Sequence, residues 1–140
     1  MVRTRFRWGF TLVELLVVLV ILSLLGGLVG PRVMRHLGDA KTKTARLQIE
    51  DLGAALDIYR LDIGSYPDTD QGLSALIKAP EGAEGWQGPY LKKTRVPIDP
   101  WGNPYRYRAP GEFGEYELIS YGADNAEGGE KENADIVSWE

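Results

Sequence analysis

Between residues 10 and 30 the only ionisable side chain is Glu14, and this apolar run constrains the chain more than any other feature. At about 1.5 Å per helical residue it spans roughly 31 Å, close to the hydrocarbon thickness of a bilayer. Arg3, Arg5 and Arg7 precede it with no acid among them. That bias holds a short N-terminus in the cytoplasm and sends the rest across. A secretory signal peptide would have an apolar region of about 7–15 residues and a small-x-small cleavage site; this run is longer and ends in Gly30-Pro31-Arg32. A plain transmembrane anchor fits the length but leaves Glu14 unexplained. A carboxylate within an apolar helix costs about 2.5–3.5 kcal/mol, so such acids pair or serve a function. Snorkelling toward the interface is the bland account, since Glu14 lies near one end of the span.

Pro31 follows Gly26, Gly27 and Gly30, which predicts a kinked or loosened turn there. Gly26 and Gly30 also form a G-x-x-x-G spacing, a weak signal of close helix packing. Beyond the proline, Ala45, Ile49, Leu52, Leu56, Tyr59 and Ile63 recur at alternating spacings of four and three, the mark of one helical face. Charged residues from Lys41 to Asp62 mostly occupy the rest of the surface. Gly64 and Pro67 supply an exit. One kinked helix over residues 10–63 would be roughly 80 Å long, half anchor and half scaffold.

The remainder is punctuated. Leu73, Leu76 and Ile77 form the apolar face of a short helix over residues 70–77, ended by Pro80. Residues 81–88 read as a loop. Asp99-Pro100-Trp101-Gly102-Asn103-Pro104 is a strong turn signal, with Trp101 expected as a core plug beneath it. Residues 105–108 and 116–120 alternate as strands joined through residues 111–114, and a third strand is expected near residues 136–139.

Composition narrows the classes. There is no cysteine, so neither a disulfide framework nor a thiolate metal site is available. Formal net charge is −4; without Arg3, Arg5 and Arg7 it becomes −7 before the termini, from 13 basic and 20 acidic residues. An acidic soluble part argues against nucleic-acid binding. Enzyme readings lack their residues: the one histidine, His36, sits on the scaffold helix, and no H-E-x-x-H, G-x-S-x-G or P-loop motif is present. A membrane-anchored enzyme would have to turn over a substrate with its soluble head.

The string Gly9-Phe10-Thr11-Leu12-Val13-Glu14-Leu15-Leu16-Val17-Val18 resembles the class III signal of type IV pilins and type II secretion pseudopilins. The resemblance implies a prepilin peptidase cut between Gly9 and Phe10 and N-methylation of Phe10. It also gives Glu14 a role in assembly. Its carboxylate meets the cationic amino group on Phe10 of a neighbouring subunit, so that each costly group is satisfied only in the fibre. Gly-Ser-Tyr-Pro at 64–67, Thr-Asp-Gln-Gly-Leu at 69–73, Gly-Pro-Tyr-Leu-Lys-Lys at 88–93, Asp-Pro-Trp-Gly-Asn-Pro-Tyr at 99–105, Ser-Tyr-Gly-Ala-Asp at 120–124 and Ala-Asp-Ile-Val-Ser-Trp at 134–139 narrow it. Together they are similar to the major pseudopilins of type II secretion systems over essentially the whole chain.

That family implies an α+β, pilin-like fold in which a long kinked N-terminal helix packs on a small antiparallel sheet with a C-terminal calcium loop. The expected parts are a cleaved leader (1–9), a transmembrane helix half (10–30), an amphipathic half (31–63) and a periplasmic head (64–140). The implied function is structural. Subunits held in the inner membrane polymerise, with minor pseudopilins and an inner-membrane assembly platform, into a periplasmic pseudopilus that helps drive folded proteins through the outer membrane. The runner-up is a type IV pilin for adhesion, motility or DNA uptake; a third class is an anchored binding protein that never polymerises.

Residues 121–135 are rich in acid and glycine and have no apolar period. By composition this is either a solvated acidic loop or a site for calcium, which accepts six to eight carboxylate and carbonyl oxygens. The spacing is not that of an EF-hand. The resemblance implies calcium, held by Asp124 and Asp135 with the Tyr121 carbonyl. Ala134 stands where some members have a second aspartate, so Asn133 or another loop carbonyl would complete the shell.

Overall fold

The computed structural model describes residues 9–140; Arg3, Arg5 and Arg7, which fall in the leader expected over residues 1–9, lie outside the described residues. Helix α1 (Leu12–Ile63) is followed by a 3-10 turn (Gly72–Leu76), strands β1 (Arg106–Arg108) and β2 (Glu117–Ser120), a second 3-10 turn (Lys131–Asn133) and strand β3 (Ile136–Val137). Internal packing divides the chain into two units, Met1–Leu37 and Gly38–Glu140.

The first unit holds the apolar start of α1, and α1 is long and apolar enough to cross a membrane. Leu12, Val13, Leu15, Leu16 and the large apolar residues after them to Met34 are all exposed. Ser23 turns its hydroxyl onto the Leu19 carbonyl at 2.8 Å, which satisfies a polar group that lipid would leave unpaired. Pro31 lies inside α1 without ending it. Having no N–H, it leaves the Gly27 carbonyl without its usual i+4 donor, a local loss in a helix of 52 residues.

The second unit contains the core. Ala45, Ile49, Leu52, Leu56 and Tyr59 are buried, as their spacing requires, and Ile63 is partly buried against them. Gly53 and Ala55 are buried too, so the covered face is broader than the alternating pattern alone suggests. Leu73, Ala75, Leu76, Tyr105, Leu118 and Ile136 pack onto this face. Full burial of side chains such as Leu56 or Leu118 stabilises by about 1.5–3 kcal/mol each. At its end α1 is closed by Gly64, which takes φ +96° and donates its N–H to the Arg60 carbonyl at 2.7 Å.

The helix expected over residues 70–77 is instead the 3-10 turn Gly72–Leu76, with Ile77 at its cap. Gly72 has φ +57°, which stops an α-helix from running through it. Asp68 and Gln71 then bridge the entry, each accepting the other's N–H at 2.7–3.0 Å. Leu73 and Leu76 still reach the core.

The three strands form one antiparallel sheet in the order β1-β2-β3. Tyr107 pairs with Leu118, and Arg106 pairs with Ile119, which pairs in turn with Val137. The connection at residues 111–114 closes through the Gly111 N–H on the Gly114 carbonyl at 3.0 Å. Tyrosines tie this head to the amphipathic part of α1. Tyr105 donates to Gln48, Tyr66 to Asp57 and Tyr90 to Asp62, at 2.6–2.8 Å. Burial raises the Tyr105 and Tyr107 hydroxyls well above their ordinary range. Trp101 packs against the core beneath the Asp-Pro turn.

Candidate functional site

Two regions hold the residues singled out by sequence. At the N-terminal one, Gly9 and Phe10 are exposed and precede the first helical residue, Leu12. Phe10 is 84% exposed. Glu14 is engaged locally with Thr11: the Thr11 N–H and hydroxyl both donate to Glu14 Oε2, at 2.9 and 3.0 Å, and the Glu14 N–H donates to Thr11 Oγ1 at 3.2 Å. This is a capping box, in which two orphan donors of a helix start are satisfied reciprocally. Thr11 was not among the expected site residues, although the T-x-x-E spacing marks it. In apolar surroundings such a box gives the carboxylate partners within its own chain.

The second region is the loop of residues 121–135. Its two ends are held together. The Ala123 N–H donates to the Glu132 carbonyl at 2.8 Å, and the Gly128 N–H donates to Asp135 Oδ2 at 2.9 Å. Gly122 requires its missing side chain: φ is +64°, and a Cβ there would stand 2.5 Å from the Glu132 carbonyl oxygen and 3.1 Å from that of Ala134. Asp124 accepts the Ala126 N–H at 3.2 Å, a short-range turn contact. The Arg106 guanidinium lies over the Tyr121 ring, 5.8 Å from its centre. The Glu132 side chain rests against Gly38 on α1.

Asp135 Oδ1 is buried and has no hydrogen-bond partner. A buried carboxylate oxygen without a donor is costly, and a cation is one of the few groups that would relieve it. Among the described residues no three His, Cys, Asp or Glu side chains are grouped to hold a metal. Any ion here would therefore need backbone or amide oxygens beside its carboxylates, which suits calcium's mixed oxygen shell and not a soft transition metal.

Two acids that sequence reading did not single out are the best-partnered carboxylates of the head. Glu117, 3% exposed, receives the Glu112 and Phe113 N–H groups at 2.6 and 3.0 Å and pairs with Arg108 at 2.9 Å. Burial alone would raise its carboxyl, but the two N–H donors and the guanidinium outweigh it and hold the carboxyl below its ordinary value. Asp99, also 3% exposed, accepts the Trp101 and Asn103 N–H groups through Oδ1 at 3.0 and 2.8 Å and the Ser120 hydroxyl through Oδ2 at 2.7 Å.

Comparison with known proteins defines the class first. Residues 9–30, the exposed Gly9-Phe10 junction and the capped apolar helix after it, match the prokaryotic N-terminal methylation motif. Residues 32–139 match the family described as Type II secretion system (T2SS), protein G. A type II secretion system core protein G of Pseudomonas aeruginosa is 50% identical over 136 residues, 94% of each chain. The protein of the same name in Vibrio cholerae is 44% identical over 142 residues, covering 99% of this chain and 96% of the relative. The crystal structure of the major pseudopilin from the type 2 secretion system of enterohaemorrhagic Escherichia coli superposes with a TM-score of 0.63 at 31% identity, covering 76% of this chain and 92% of that one. The chain belongs to the type II secretion system protein G family.

Proposed function

We propose that this chain is the repeating structural subunit of a type II secretion pseudopilus: anchored in the inner membrane, its head in the periplasm, and carrying no enzymatic activity of its own. The observation that carries this reading is the pairing of the two family matches, an N-methylation motif at residues 9–30 and a protein G body at residues 32–139, on one chain. The names of its relatives favour secretion over the adhesive or motility pilus. In this reading a prepilin peptidase cuts between Gly9 and Phe10, Phe10 is N-methylated, and the apolar start of α1 holds the subunit in the bilayer until an inner-membrane platform adds it to the fibre.

Glu14 then has two successive partners. Before assembly it closes the capping box with Thr11; within the fibre it meets the cationic amino group of a neighbour's Phe10, which fixes axial register as a buried polar residue does in a coiled coil. Calcium, held by Asp124 and Asp135 with the Tyr121 carbonyl and Asn133, would tie the C-terminal loop as a disulfide ties a secreted domain. The unpartnered Asp135 Oδ1 supports that assignment.

Intact-mass analysis and electron microscopy of the protein expressed with a prepilin peptidase and a secretion apparatus test the proposal. A species beginning at Phe10, together with thin fibres dependent on this chain and export of a folded cargo, is expected. Uncut, dispersed protein would overturn it.

A further inference from the structure

The entrance of the C-terminal loop is held from outside the loop. Asn103, at the end of the Asp-Pro turn, donates its side-chain Nδ2 to the Gly122 carbonyl at 3.2 Å. The Gly122 N–H meets Ser120 Oγ at 3.3 Å, and the same hydroxyl donates to Asp99 Oδ2 at 2.7 Å. Asp99 in turn receives the Asn103 N–H at 2.8 Å, and its own N–H donates to the Asn103 carbonyl at 2.8 Å. Asp99, Asn103, Ser120 and Gly122 thus form a closed ring of hydrogen bonds joining two segments about 20 residues apart in sequence. Both Asp99 and Ser120 are buried, at 3% and 0% exposure, so neither exchanges its partners freely with water.

From these contacts we infer that Asn103, backed by Asp99 and Ser120, is a positioning residue for the cation site: it fixes the Tyr121-Gly122 peptide before the ion arrives. The inference rests on the calcium reading given above and says what prepares that site. Gly122 is held on both its N–H and its carbonyl, while the carbonyl assigned to the ion, that of Tyr121, belongs to the peptide whose N–H is Gly122's. Orienting Gly122 therefore orients the Tyr121 oxygen. On the far side, the Glu132 and Ala134 carbonyls press against the bare Cα of Gly122. The ring thereby carries the geometry of the turn at residues 99–104 into the two ends of the loop, leaving less to be ordered when a cation binds.

The experiment compares wild type with Asn103→Asp, an isostere without the Nδ2 donor, using the full chain in detergent micelles. Calcium chloride is titrated by calorimetry, with magnesium chloride as the control, and amide exchange is followed by mass spectrometry in EDTA. One lost hydrogen bond predicts about two- to tenfold weaker calcium binding in the variant. Faster exchange at Gly122 and Ala123 in EDTA is expected alongside it, with the buried face of α1 protected as before. Asn103→Ala should behave in the same way, which separates loss of the donor from the added charge. If wild type binds calcium and both variants bind it equally with unchanged exchange, the positioning role is overturned while the ion site stands. If wild type takes up no calcium, the site and its positioning residue are overturned together.

Discussion

Thr11 and Glu14 are joined by three hydrogen bonds across the first turn of α1, so the acid that lies within the apolar run is also the group that starts the helix. A carboxylate with partners on its own chain costs less in lipid than a bare one. The two roles can be separated, because glutamine at this position also closes a capping box but carries no charge.

Both Glu14→Ala and Glu14→Gln are expected to be cut between Gly9 and Phe10 and to remain in the membrane, yet to give no fibres by electron microscopy. Only the alanine variant should also fray the helix start. Normal fibres from either variant would falsify the pairing with Phe10.

Calcium should stabilise the head. At a free concentration of 100 times the dissociation constant, mass action adds about 2.7 kcal/mol. Thermal melts of the full chain with calcium and with EDTA should therefore differ, and Asp124→Ala and Asp135→Asn should each abolish the difference. Identical melting of the wild type in the two conditions would remove the ion from the account.

The Glu117 carboxyl is held below its ordinary value of 4.5. A group whose folded value is depressed stabilises above the unfolded value, and that contribution is lost as pH falls through the folded one. Wild type should exceed Glu117→Gln in stability at neutral pH, and the gap should close as pH is lowered below 4.5. A gap independent of pH in urea titrations would mean that shape, and not charge, makes Glu117 useful.

Gly122→Ala combines a left-handed backbone with overlap against the Glu132 carbonyl. A loss of about 1–3 kcal/mol is expected from the backbone conformation alone, together with weaker calcium binding. Gly102→Ala makes a control: φ there is +94°, but a Cβ would meet nothing within 4 Å. Equal losses in the two variants would show that crowding at Gly122 is unimportant.

Features with a period or a local motif were the legible ones. The apolar run, the stripe from Ala45 to Tyr59, the exit at Gly64 and the three short strands follow from spacing and turn chemistry, and the structure has them within a few residues. The short helix after Pro67 is a 3-10 turn because, although its apolar residues fit an α period, the left-handed backbone at Gly72 decides otherwise. Asp99 and Glu117 escape a sequence reading for a different reason. Asp99 looks like an ordinary turn residue beside Pro100, and its bond to Ser120 spans 21 residues. Glu117 sits in a strand whose alternation would turn it outward, and only the folded-back Glu112 and Phe113 amides and Arg108 cover it. In the candidate ion loop the residue types were legible, while the unpartnered Asp135 oxygen and the ring around Gly122 exist only once distant segments meet.

Strand β3 joins β2 through two residue pairs, Ile119 with Val137 and Ser120 with Ile136, extended by two bonds between Ser138 and Leu118. The chain between them is the loop of residues 121–135. Closing a flexible segment of that length costs about 2.4 kcal/mol in chain entropy, beyond a constant. Against that cost stand this short ladder and the buried side chain of Ile136, so the hold of the last strand depends on its loop being closed. The C-terminal strand is then expected to open before the rest of the head, and whatever closes the loop sets how often.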